Sequence, residues 1–78
     1  MGIEKIFIPD FGDVQAITAV EIYVSAGDSV EVEDPLIALE SEKAVMDIPA
    51  PFSGIIKEIV IQEGATVSSG DLIGTMEV

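Results

Sequence analysis

Residues 20–41 and 57–78 superpose at a constant offset of 37 with no gap, as VEIYVSAGDSVEVEDPLIALES over KEIVIQEGATVSSGDLIGTMEV. Six of the 22 positions are identical: Glu21/Glu58, Ile22/Ile59, Gly27/Gly64, Val30/Val67, Asp34/Asp71 and Glu40/Glu77. Apolar pairs such as Val24/Ile61, Leu36/Ile73 and Leu39/Met76 keep the core pattern in register as well. The openings of the halves rhyme, with IPDFG at 8–12 answered by IPAPFSG at 48–54. A hydrophobic pattern repeated at fixed spacing means one supersecondary plan used twice.

Each half reads as short alternating strands divided by turn chemistry: VEIYV, a turn at Gly27-Asp28 or Gly64-Ala65, a bend before LIALE or LIGTMEV. Pro9, Pro35, Pro49 and Pro51 interrupt the windows in which an amphipathic helix would fit. Ile and Val together supply 21 of the 78 residues, a β-branched excess that favours sheet. The expected fold is all-β: two four-stranded antiparallel sheets facing each other as a flattened barrel or sandwich, with internal pseudo-two-fold symmetry. At this length residues 1–78 make one domain.

Composition narrows the chemistry. A chain without Cys or His has no thiol nucleophile, imidazole base, soft metal cluster or disulfide. Arginine is missing too, and a formal net charge of -12 opposes nucleic acid and anionic membrane, leaving a basic protein surface as the natural complement. Glu31, Glu33 and Asp34 are clustered, but their spacing matches no calcium loop, so neither a metal site nor a catalytic residue is expected. The start MGIEKIFIP lacks a signal core and no apolar run spans a bilayer, so the expected setting is cytoplasmic, or the mitochondrial matrix after loss of a targeting segment. The chain is expected to be monomeric.

One of the three lysines, Lys43, falls in the short polar gap of ALESEKAVMDIPAP, between two strand-like runs. The second-half counterpart of that hairpin would run past Val78, so the pseudo-symmetry puts Lys43 and the termini at opposite ends. Ser41, Glu42, Lys43 and Ala44 include no residue at ease with positive φ, so a four-residue connection around a type I turn fits, with Glu42 and Lys43 at its centre. By position alone Lys43 reads first as a solvated hairpin lysine.

IFIPDFGD at 6–13, LIALESEKAVMDIPAPFSGIIKEI at 36–59, the turns at Gly27 and Gly64 and the duplication resemble a lipoyl domain of the 2-oxo acid dehydrogenase complexes. The resemblance covers nearly the whole chain and implies the barrel-sandwich hybrid fold and a non-catalytic carrier. It implies lipoic acid joined by an amide to Lys43, with Glu42 and Ala44 as recognition flanks. Glu42 stands where the family often has Asp, and Val45 where it often has a small or hydroxylic residue. The implied partners are a lipoate ligase or lipoyl transferase, a thiamine-dependent 2-oxo acid decarboxylase, a dihydrolipoamide acyltransferase core and a flavin dihydrolipoamide dehydrogenase. The parent component would be the acyltransferase, the flavin dehydrogenase or a free-standing carrier. Glu40, Glu42 and Asp47 make either an acidic face for basic partners or a solubilising set, and Met46 either props the hairpin or is plain core. Family likeness adds the loop from Phe11 to Ala16 to partner choice.

Three other readings compete. A biotin carrier shares the architecture, but Met flanks its lysine where Glu42 and Ala44 stand here. An acyl carrier protein is also short and acidic, yet its serine must open a helix, and VEVEDP follows Asp28-Ser29-Val30. An acidic interaction module, or an autonomous hydrolase, without a carrier role would use the carboxylates alone.

Overall fold

The β-branched runs form eight strands: β1 (Ile3–Phe7), β2 (Ile17–Ile22), β3 (Ser29–Val30), β4 (Pro35–Glu40), β5 (Val45–Pro49), β6 (Gly54–Ile59), β7 (Thr66–Val67) and β8 (Leu72–Glu77). In this computed structural model, which describes residues 2–10 and 17–78, they make two four-stranded antiparallel sheets, ordered β1-β8-β6-β3 and β5-β4-β2-β7. Alternation turns one side of each strand into the space between the sheets. Ile6, Ile17, Leu36, Leu39, Ile56, Ile73 and Met76 meet there in a single core cluster. No polar side chain among the described residues is buried with them. The expected all-β sandwich is the observed fold.

The duplication reaches into the backbone. Adding 37 to the β2–β4 register (Thr18↔Glu40, Ala19↔Leu39, Glu21↔Ala38, Ile22↔Ile37) reproduces the β6–β8 register (Ile55↔Glu77, Ile56↔Met76, Glu58↔Thr75, Ile59↔Gly74), bulge included. The identical residues have local reasons. Gly27 and Gly64 sit at positive φ and donate across the sandwich, to the carbonyls of Ile56 and Ala19. Asp34 and Asp71 each accept the backbone N–H three residues back, from Glu31 and Ser68 at 2.9 and 2.8 Å, which closes a tight turn. Val30 and Val67 are core.

Two details depart from the sequence rhyme. IPDFG against IPAPFSG sets Ile8 on Ile48, whereas the backbone sets Ile8 on Ala50: Ile8 N–H donates to the Asp71 carbonyl and Ala50 N–H to the equivalent Asp34 carbonyl. A two-residue slide keeps every apolar side chain on the same strand face, so hydrophobic pattern alone cannot detect it. The second is Glu33, with φ of 77°, standing where the other half has Gly70 at 89°. A side chain in the left-handed region costs about 1–2 kcal/mol, and Gly70 shows that the fold itself accepts glycine at this turn.

The topology separates the hairpin 41–44 from the first and last strands. β2 starts beside Glu40 and β7, then runs away from the hairpin and crosses over to β3, which pairs with the start of β6 at Gly54 and Ile55. Ile55 lies opposite Glu77, and Glu77 opposite Ile3. The end of β8 and the start of β1 are therefore at the far end from Glu40 and Val45, along a molecule whose longest dimension is 37 Å.

Gly74 has no freedom to gain a side chain, because a Cβ there would run into the carbonyl oxygen of Glu58 on the neighbouring strand. Gly74→Ala should therefore lower stability by about 2 kcal/mol, seen as a lower urea midpoint at unchanged slope. Gly2→Ala, with open space around it, should leave the midpoint unmoved.

Candidate functional site

β4 and β5 stay paired through Glu40↔Val45, which leaves residues 41–44 as a four-residue connection. None of the four has positive φ, so no glycine is needed. Ser41 closes it. Its backbone N–H donates to the Ala44 carbonyl at 2.8 Å, and its hydroxyl donates to the same oxygen at 3.3 Å. The hydroxyl oxygen also accepts the N–H groups of Lys43 and Ala44, each at 3.2 Å. Such short-range side-chain bonds satisfy a turn's backbone where strand pairing has stopped. Ser41 was not singled out from the sequence; the signal was a hydroxyl at the first loop position, two and three residues before the N–H groups it serves.

Glu42, Lys43 and Ala44 are all exposed at this tip. No ion pair ties Lys43 to a carboxylate among the described residues. Its amine is accordingly held out in solvent by a turn whose backbone is fixed. Val45 follows at 64% exposure, while Met46 is half-buried against the core cluster, which makes it core packing beneath the hairpin. Glu40 and Asp47 project from the outward face of β4 and β5, joined there by Glu21 of β2, whereas Glu42 belongs to the tip. The loop 11–16 lies outside the described residues.

Tyr23 is a second residue that the sequence did not flag. Its hydroxyl donates to Asp47 Oδ1 at 3.2 Å, reaching from just beyond the end of β2 across β4 to β5. Ala38, which shares that outward row with Glu21 and Asp47, is 4% exposed although it lies outside the core cluster, as a ring laid across it would cause. Desolvation against the sheet raises the phenol's pKa above its ordinary value, and the charge and hydrogen bond of Asp47, then the charge of Glu21, push the same way.

The acidic cluster at 31–34 is turn structure, with the Asp34 carboxylate spent on the Glu31 N–H. Among the described residues no group of three or more His, Cys, Asp or Glu could hold a metal ion. Among the described residues no helix is long and apolar enough to cross a membrane.

A sandwich with an exposed lysine on a capped hairpin is the arrangement that the comparisons with known proteins assign to the biotin- and lipoyl-attachment class. The Biotin_lipoyl family pattern, described as biotin-requiring enzyme, matches residues 4–76, and the chain belongs to that family. It is 40% identical over 76 residues to the dihydrolipoyllysine-residue acetyltransferase component of the pyruvate dehydrogenase complex of Cupriavidus necator, covering 97% of this chain. The Azotobacter vinelandii component of the same name is 44% identical over 73 residues, or 94% of this chain. The chain spans only 14% and 11% of those two relatives. Among solved structures, the lipoyl domain of the 2-oxoglutarate dehydrogenase complex from Azotobacter vinelandii superposes with a TM-score of 0.76 at 31% identity, covering 95% of each chain. Kluyveromyces lactis urea carboxylase shares the fold, with a TM-score of 0.79 at 24% identity over 99% of this chain and 6% of its own. This chain is a lipoyl domain, a carrier and not itself a catalyst.

Ser41→Ala should cost about 1 kcal/mol, the net worth of a turn's side-chain hydrogen bonding. Amide exchange at Lys43 and Ala44 should accelerate, and Ser41→Thr should restore slow exchange. Tyr23 is the only tyrosine, so ultraviolet titration reads it alone. The phenolate should appear with a midpoint above 10.0 in the folded chain, and Asp47→Asn should lower that midpoint. Because the native value is the higher one, this contribution to stability is whole below the unfolded value of about 10. It is lost as pH rises through the native midpoint.

Proposed function

We propose that Lys43 is the lipoylated residue, that Glu42 and Ala44 are its recognition flanks, and that residues 1–78 act as one swinging-arm unit of a 2-oxo acid dehydrogenase complex. The observation that carries this reading is the tip itself: an exposed lysine amine, without an ion pair among the described residues, on a turn locked by Ser41, at the far end from the first and last strands. An amine placed so can reach the active site of a modifying ligase and then form an amide without the sheets moving. Lipoic acid, once attached, supplies the redox-active sulfur chemistry that a chain without Cys or His lacks.

The chain's own part is mechanical and electrostatic. The dry core and interlocked sheets keep the hairpin at a constant orientation, so mobility is confined to the lysine side chain and whatever it bears. Confining the arm to one complex raises its effective concentration at each active site. Amide formation also removes a positive charge from a tip otherwise bordered by Glu40, Glu42 and Asp47, which leaves a uniformly acidic neighbourhood. The partners proposed are a lipoate ligase or lipoyl transferase, a thiamine-dependent decarboxylase, an acyltransferase core and a flavin dehydrogenase. The names of the bacterial relatives support the pyruvate dehydrogenase complex and, through it, a cytoplasmic setting.

Intact mass and peptide mapping after incubation with lipoate, ATP and a lipoate ligase should place one lipoyl increment on Lys43. Lys43→Arg, which keeps the charge but cannot form the amide under these conditions, should show none while remaining folded. A biotin increment on Lys43 in cells supplied with both cofactors, or a lipoyl increment on Lys5 or Lys57, would overturn the assignment.

A further inference from the structure

The duplication supplies an internal control, because each outward position on one sheet has a counterpart on the other. On the β5-β4-β2-β7 sheet, register places Thr18, Glu40 and Val45 in one outward row and Glu21, Ala38 and Asp47 in the next. The equivalent rows on the other sheet are Ile55, Glu77 and Ile3, then Glu58, Thr75 and Lys5. At the bulge, Val20 on the first sheet answers Lys57 on the second. The lysine-bearing sheet thus presents three carboxylates and no cation, interleaved with exposed Val20, Tyr23 and Val45. Its counterpart, which also exposes Ile3, Ile55 and Val60, balances two carboxylates with two lysines, so the two faces differ in charge and not in apolar content.

Folding explains neither half of this difference. Both faces cover the same core with the same register, and both edges need only be soluble. A net charge of -12 spread evenly would serve solubility equally well. Yet both lysines other than Lys43 stand on the face away from the hairpin. The Tyr23–Asp47 bond further stiffens the acidic face, holding an aromatic ring among the carboxylates. A surface that mixes fixed carboxylates with exposed aliphatic and aromatic groups is complementary to arginine or lysine set among aliphatic side chains. A second copy of this chain, carrying the same negative charge, would be repelled.

We propose that the outward face of the β5-β4-β2-β7 sheet, beside the Lys43 hairpin, is a docking surface for a protein segment in which cationic and aliphatic residues alternate. Its purpose rests on the carrier reading, since docking there would deliver Lys43 to whichever enzyme owns the segment. Glu21 and Glu40 supply the charge contacts; Val20, Tyr23 and Val45 supply the apolar ones.

The binding is tested on the unmodified chain by NMR amide-shift titration with the capped pentapeptide Arg-Leu-Arg-Leu-Arg, without any enzyme. Saturable shifts should concentrate at Glu21, Tyr23, Glu40, Val45 and Asp47. Glu21→Lys with Glu40→Lys should weaken binding about tenfold, and the equivalent Glu58→Lys with Glu77→Lys less than about twofold. Glu21→Gln with Glu40→Gln serves should the reversal pair fail to fold, with a loss of about threefold expected. Equal shifts on the two faces, equal losses from the two variant pairs, or no saturable binding would overturn the proposal. A chain that binds the peptide on this face but takes no lipoyl group would sink the carrier reading while leaving the docking face intact.

Discussion

Neither half of this chain can complete a sheet by itself. β3 of the first half pairs with β6 of the second, and β7 of the second pairs with β2 of the first, so each half lends its shortest strand to the other's sheet. The exchange is fastened by Gly27 and Gly64, whose N–H groups reach the carbonyls of Ile56 and Ala19. Because the crossover segments carry the chain between layers, the turn conformation and the sheet pairing stand or fall together. Loss of either crossing would release two edges and open the core from both sides, which is a cooperative arrangement for a small domain.

That interlock gives the lysine hairpin its footing. β4 lies between β5 and β2 in the middle of its sheet, and four consecutive residues, Leu36, Ile37, Ala38 and Leu39, are buried on it. A strand anchored so firmly delivers the following turn to a set position. Ser41 then carries the order beyond the last pair, to the point where Lys43 leaves the backbone. Stiffness below and freedom above are what the proposed tethered arm requires: the domain would contribute placement, and a group attached to Lys43 would contribute reach.

Departures from the internal symmetry separate what folding requires from what it does not. Gly70 and Glu33 hold equivalent places in the matching turns of the two halves, but only glycine takes that backbone conformation without strain. Lys5 and Asp47, and Lys57 and Val20, occupy matching outward sites with different charge. The shared register and the bulges of the two halves belong to the architecture. Their unlike surfaces do not follow from it, and the difference in charge leaves the sheet face beside the Lys43 hairpin the more acidic of the two.

The 37-residue offset, the prolines and the Ile/Val alternation made the two facing sheets readable directly from the chain, since strand periodicity and turn chemistry are local properties. The lysine was readable for the same reason: a cation in a glycine-free gap between strands has to be a hairpin tip. Three features were not. The alignment of β1 with β5 differs by two residues from the sequence rhyme, because a slide of two leaves the inward pattern unchanged. Ser41's closure of the turn depends on a rotamer, and the Tyr23–Asp47 bond joins residues 24 apart that meet only once β4 has come between β2 and β5. Sequence alone determined the architecture and the place of Lys43 on a hairpin, because these follow from near-neighbour pattern. Only the tertiary structure decided how that hairpin is held and which face surrounds it, because hydrogen bonds and charges from distant strands become neighbours only when the sheets assemble.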